Sequence, residues 1–317
     1  MRLSLPASSI ALAVLLLAAV SRSPAIEIGD PAPPLQISQW VRGEAVELKA
    51  DVDRVYVVEF WATWCRPCTA VIPMLSRLQR KYEAQGLVVV AVSSEKDAEV
   101  NVPEFVQRRE ARIAYRVAID DKGQTKRAYL DAFGSPEIIP QSFVINQAGL
   151  IVWRGHPAEL ESVLEDVFAG RHDIKAARER DAAERRERET AEVNERYKTM
   201  ICAPASQPGS KETGQKLLDL IWDNPERLNR FAYSIATSPK INDRHYDLAV
   251  KAAERAMVLT NEKDFEIIDT YAIALYKAGR IDEAISRQQH AIRICRVEHR
   301  RNQMQMLLAQ YQDSKKR

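Results

Sequence analysis

The segment from Val55 to Cys68, VYVVEFWATWCRPC, limits the fold of this chain more than any other. Val55 to Ala62 is a nearly unbroken apolar run rich in β-branched residues, the pattern of a strand buried on both faces. Leu87 to Val92 (LVVVAV) repeats that pattern. Between them, Thr69 to Gln85 carries Val71, Ile72, Leu75, Leu78 and Tyr82 at helical spacing, so strand, helix and strand form one βαβ unit. Further on, Ser142 to Asn146 (SFVIN) and Leu150 to Arg154 (LIVWR) flank Gln147-Ala148-Gly149 as a hairpin, and Glu159 to Ala169 reads as a closing helix. Strand and helix patterns alternating from residue 26 to 170 predict an α/β domain.

Cys65 and Cys68 stand where the first strand ends and the helix begins. Unpaired N–H groups and the macrodipole at a helix start favour an anion, which lowers the pKa of Cys65 and makes its thiolate the better nucleophile. Cys68 lies one turn on, within reach of a mixed disulfide formed on Cys65. Pro67 fixes φ at a position where its missing N–H costs little. Half of a zinc site would also use C-x-x-C, but no second such pair and no histidine cluster accompanies it, so no metal is expected. No cofactor is expected beyond the redox-active Cys65–Cys68 pair.

The other cysteines of the four, Cys202 and Cys295, are far apart in sequence. Two thiols or one long-range staple are both open, because spacing says nothing about proximity. Compartment bears on that choice. Arg2, the uncharged run Ile10 to Val20 and the small residues Ala19, Ser21 and Ala25 have the pattern of a signal peptide over residues 1–25. The run is too short to span a bilayer, and no cysteine follows it for lipid attachment. The mature chain is expected to be exported, in the periplasm, without a stable membrane span.

Residues 171–210 form a charged helical linker and loop. From Arg171 to Lys198, 17 of 28 residues are charged, and opposite charges recur at helical offsets, as in Asp181 with Arg185, which suits a solvated helix. Ala203 to Gly209 (APASQPG) reads as loop. Residues 211–317 form the next domain, and from about Gly214 to Gln310 its sequence repeats itself. Ala249 and Ala256 match Ala284 and Ala291, while Leu228, Phe231, Ala232 and Ile235 match Ile268, Tyr271, Ala272 and Leu275 at a larger offset. The difference falls in Ser238 to Asp247, a longer turn. The pattern resembles tetratricopeptide repeats, with Lys216 to Asp223 and Glu298 to Gln310 as caps, and implies an all-α domain that docks a protein partner or contributes to self-association.

FWATWCRPC resembles the active-site signature of the thioredoxin superfamily. Gly29-Asp30-Pro31-Ala32-Pro33, Ile72-Pro73 and Ile139-Pro140 make it similar to the exported TlpA/ResA-like branch, over Ile28 to about Ala169. The resemblance implies a thioredoxin fold and thiol–disulfide exchange with protein thiols or disulfides. It implies a cis peptide at Ile139-Pro140, with the Ile139 backbone pairing with substrate. Trp64, Arg66 and Pro67 are candidate substrate-binding residues; Arg66 stands where the family often has Gly or an acidic residue, and its cation either favours the Cys65 thiolate or is a solvated side chain with little effect. Glu59 falls where related proteins carry a buried acid that exchanges a proton with the second cysteine. A carboxyl in an apolar strand should have a raised pKa, unless its end reaches solvent. Val71 stands where many of these proteins carry Glu.

A formal charge of +2 gives no reason to expect a nucleic-acid partner. The sequence therefore reads as an exported thiol–disulfide oxidoreductase in which Cys65 attacks, Cys68 resolves and Glu59 moves a proton. The alternative is a tetratricopeptide-type adaptor whose thioredoxin-like half is a binding or structural module. Thr63, before Cys65, is not enough to indicate a peroxidase.

Overall fold

The computed structural model describes residues 26–135 and 138–316; the expected signal peptide lies outside them. The chain divides into two compact units, one ending at Asp181 and one beginning at Ala182.

The first unit is a thioredoxin-like mixed sheet of six strands in the order β1-β4-β3-β2-β5-β6. These are β1 (Ile37–Arg42), β2 (Val55–Trp61), β3 (Leu87–Ser93), β4 (Arg116–Asp120), β5 (Gln141–Ile145) and β6 (Ile151–Gly155). β2 runs parallel to β3 and antiparallel to β5, so both of its edges are bonded. Every residue of β2 and β3 is buried, as their nearly continuous apolar runs require, Glu59 included. Their side chains alternate between two layers. Val55, Val57 and Trp61 pack against α2 (Ile72–Tyr82), α3 (Ala98–Arg108) and α5 (Leu160–Phe168). Tyr56, Val58 and Phe60 pack on the other side with Ala177 and with Tyr129, Leu130 and Phe133, which follow the short α4 (Gln124–Lys126).

The expected helix between β2 and β3 is in two pieces. A short α1 (Arg66–Ala70) stops before Val71, and α2 starts at Ile72. Pro73 has no N–H to offer the Thr69 carbonyl, which breaks the ladder there. Gly86 closes the return into β3 at φ +88, where a Cβ would meet the Asp53 carbonyl oxygen at 1.6 Å. Only glycine fits that approach.

The charged linker is a continuous helix, α6 (Ile174–Cys202), and it is not wholly solvated. Ala177, Asp181, Val193, Tyr197 and Ile201 are buried along it. Asp181 accepts from Arg154 of β6, whose guanidinium also donates to Ser135 at 3.0 Å. The dense surface charge on the rest of the helix hides this apolar stripe from a composition reading.

The second unit is all helical: α7 (Ser210–Leu220), α8 (Pro225–Thr237), α9 (Tyr246–Leu259), α10 (Phe265–Lys277), α11 (Ile281–Ile294) and α12 (Glu298–Lys316). α8 packs on α9, and α10 packs on α9 and α11. The repeated positions form its core: Ala249, Ala256, Ala284, Ala291, Leu228, Ala232, Ile268 and Ala272 are all completely buried. A short turn at Gly279 joins α10 to α11, while a longer loop over residues 238–245 joins α8 to α9. Cys202 and Cys295 are both free thiols, the first exposed and the second buried. No described helix is long and apolar enough to cross a membrane.

Candidate active site

Cys65 and Cys68 form a disulfide at the end of β2. Cys65 is the N-cap of α1, and its Sγ accepts from the Cys68 N–H at 3.2 Å. The sulfur therefore sits where the first free donors of the helix point, the setting that stabilises a thiolate once the bond is reduced. Cys68 is buried in the layer behind it.

The neighbours divide into a solvent face and a core. Arg66 and Pro67 are exposed, and Trp64 is 70% exposed, so the residues that flank Cys65 in sequence face solvent. Trp61 is buried, with its ring 5.2 Å from Phe105. Val71 packs against the core cluster that holds both cysteines, and its place carries no carboxylate. The Ile139–Pro140 peptide is cis, and Pro140 is buried. Phe60, Trp61, Trp64, Glu95, Leu130 and Ile139 line one cavity of about 190 Å³. Trp64 and Ile139, sequence-distant candidates, thus meet at one opening.

Glu59 lies inside the sheet, 1% exposed, so its end does not reach solvent. Strand alternation puts it on the same face as Val57 and Trp61, which share a packed layer with Cys65 and Cys68. Its Oε2 accepts from the Ser142 hydroxyl on β5, and Oε1 is buried with no hydrogen-bond partner. Desolvation lifts its pKa to about 8, with the Ser142 bond opposing that rise. This value is close to the ordinary thiol range of roughly 8.5, which suits proton exchange in either direction.

One residue escaped the sequence reading. Glu95, just after β3, accepts from the Thr63 N–H at 2.6 Å and from the Thr63 hydroxyl at 2.8 Å. Two charge-assisted bonds hold the turn that delivers Cys65. A lone carboxylate in a loop gives no sequence signal of such a role. Thr63 directs its hydroxyl proton to this carboxylate. His156, an isolated loop histidine, accepts from the Ala158 N–H at 3.2 Å through Nδ1 and caps a turn. Among the described residues, no cluster of His, Cys, Asp or Glu could hold a metal ion.

Residues 28–154 match the AhpC/TSA family. The thiol-disulfide oxidoreductase ResA of Bacillus cereus (strain ATCC 10987 / NRS 248) is 27% identical over 146 residues, covering 46% of this chain and 79% of its own. ResA of Bacillus anthracis is 30% identical over 127 residues, covering 40% of this chain and 68% of its own. A DsbE-type thiol:disulfide interchange protein from Chlorobium tepidum is 31% identical over 45% of this chain and 97% of its own, with a TM-score of 0.37. The chain belongs to the thioredoxin-like family of ResA-type thiol-disulfide oxidoreductases.

Proposed function

We propose that this protein is an exported oxidoreductase that exchanges disulfides with protein substrates in the periplasm through Cys65 and Cys68. The observation that carries the reading is the C-x-x-C disulfide capping α1 in the same packed layer as the face bearing a buried, proton-holding Glu59. In the reduced protein the Cys65 thiolate attacks one sulfur of a substrate disulfide, and the first substrate thiolate leaves and takes a proton. Cys68 passes its proton to the fraction of Glu59 that is ionised below its pKa of about 8 and attacks Cys65 Sγ, and the second substrate sulfur leaves as a thiolate that takes a proton from solvent. Two electrons have then moved from the dithiol to the substrate, and the reverse sequence oxidises a substrate dithiol. Trp64, Arg66, Pro67, Ile139 and Pro140 form the substrate surface, with the Ile139 backbone pairing with the substrate chain. The pair Cys65–Cys68 is the whole redox unit, with no added cofactor.

The helical unit docks a protein partner in this reading, supported by its paired helices and small-residue contacts. Insulin reduction driven by dithiothreitol tests the chemistry. Wild-type protein should accelerate it and Cys65→Ser should not; equal rates would remove the oxidoreductase assignment to this pair. Fractionation of cells expressing the full chain tests export, with recovery in the periplasm expected.

A further inference from the structure

A second recess is lined by Thr63, two residues before the nucleophile in sequence, and is distinct from the cavity that Trp64 lines. Thr63, Asn101, Phe105, Arg108 and Arg109 line a space of about 380 Å³. Its lining is two guanidiniums, an amide, a hydroxyl and one ring, with no carboxylate. The Arg109 guanidinium carbon sits 3.9 Å from the Phe105 ring centroid, and that ring packs on Trp61 at the end of β2. Stacking holds the planar fork in place while its edge donors stay open, and Arg109 has no ion pair among the described residues. Arg108 meets Glu104 at 3.4 Å, but both side chains are more than 60% exposed, so that pair is weak and yields to a better partner. Glu95, which adjoins through Thr63, has each carboxylate oxygen already bonded to that residue.

Thr63 is two residues from Cys65, so its Cα lies within roughly 7 Å of the Cα that carries the attacking sulfur. A substrate chain bonded to Cys65 would therefore carry its neighbouring side chains past this recess. We propose that Arg108, Arg109 and Asn101 form a carboxylate-binding subsite that takes an Asp or Glu side chain near the reacting cysteine of the protein substrate. The inference rests on Cys65 as the attacking sulfur. It adds a substrate class, disulfides flanked by acidic residues, to the proposed function.

The test uses the full chain, reduced and freed of reductant, and two disulfide-cyclised peptides that differ only by Glu or Gln beside the attacked cysteine. The readout is the ratio of their kcat/KM values. Wild type should favour the Glu peptide by about tenfold at low salt, the size of one charge-assisted pair, and the ratio should fall toward one in concentrated salt. The double variant Arg108→Gln/Arg109→Gln should bring the ratio to about one at low salt. Arg109 also packs on Phe105, so Arg108→Gln alone, changed on the exposed side, is the second variant and should give an intermediate ratio. A wild-type ratio near one, or a preference that survives both variants, overturns the subsite. Reaction with neither peptide, or with Cys65→Ser as fast as wild type, overturns the assignment of Cys65 instead.

Discussion

Ser142 on β5 stands directly opposite Glu59 on β2 in the sheet register and donates its hydroxyl to the Glu59 carboxyl. The bond gives a buried acid one partner and leaves its second oxygen unmatched, so burial still dominates and the group holds its proton to about pH 8.

That pKa carries a sign for stability. In the unfolded chain Glu59 ionises near its ordinary value of 4.5, whereas in the fold it stays protonated until about 8. Its contribution is therefore fully present below about pH 4.5, declines as pH rises through the window, and is lost above about 8. Between pH 5 and 7 the loss should be roughly 2–3 kcal/mol. Urea unfolding of the oxidised protein at several pH values checks it: Glu59→Gln should flatten the slope in this window. The same variant should lower the rate at which Cys68 resolves a mixed disulfide, on the order of tenfold to a hundredfold or more, as for lost acid–base assistance.

Thr63 and Glu95 should matter to rate more than to stability. Glu95→Ala removes both bonds to the turn before Cys65, and a displaced nucleophile should cost on the order of tenfold or more in insulin reduction. Thr63→Val keeps the backbone bond and should lose less. Stopped-flow rates with both variants decide it; equal rates for Glu95→Ala and wild type would remove the clamp from the account of catalysis.

Much of this was legible in the chain. Val55 to Ala62 and Leu87 to Val92 announced themselves because both faces of each strand are buried, and the hairpin before α5 showed its turn at Gly149. Other elements left weaker traces. β1 is half polar and irregularly paired to β4, so its alternation is blurred. α3 carries Pro103 in its interior, which reads as a break. Cys65, Cys68, Trp64 and Ile139-Pro140 were visible as motif residues. Glu95 and Arg109 were not, because their roles come from loop closure and ring stacking between residues distant in sequence.

Arg154 and Asp181 form a buried pair between β6 and the start of α6, with both side chains less than a tenth exposed. Asp181→Ala would remove a carboxylate from a buried guanidinium and should destabilise the first unit by about 3–5 kcal/mol. Replacing both residues with apolar ones of similar volume should cost much less. Thermal unfolding followed through the tryptophans separates these outcomes, and a neutral Asp181→Ala would contradict the pair's role.

Free thiols give a direct count. In the oxidised protein Cys202 is exposed, while Cys295 is buried with its Sγ 3.4 Å from the Val297 carbonyl. Ellman's reagent should label one thiol quickly under native conditions and the second only on unfolding. No labelling even in denaturant would show a Cys202–Cys295 disulfide.

The division of labour between the active cysteines is tested most directly by Cys68→Ala in the full chain, mixed with a disulfide-bearing protein substrate and quenched with acid. The expected result is a stable mixed disulfide through Cys65, identified by mass spectrometry and released by dithiothreitol, with no such adduct for Cys65→Ala. An adduct on Cys68 in the Cys65→Ala protein and none on Cys65 would contradict it.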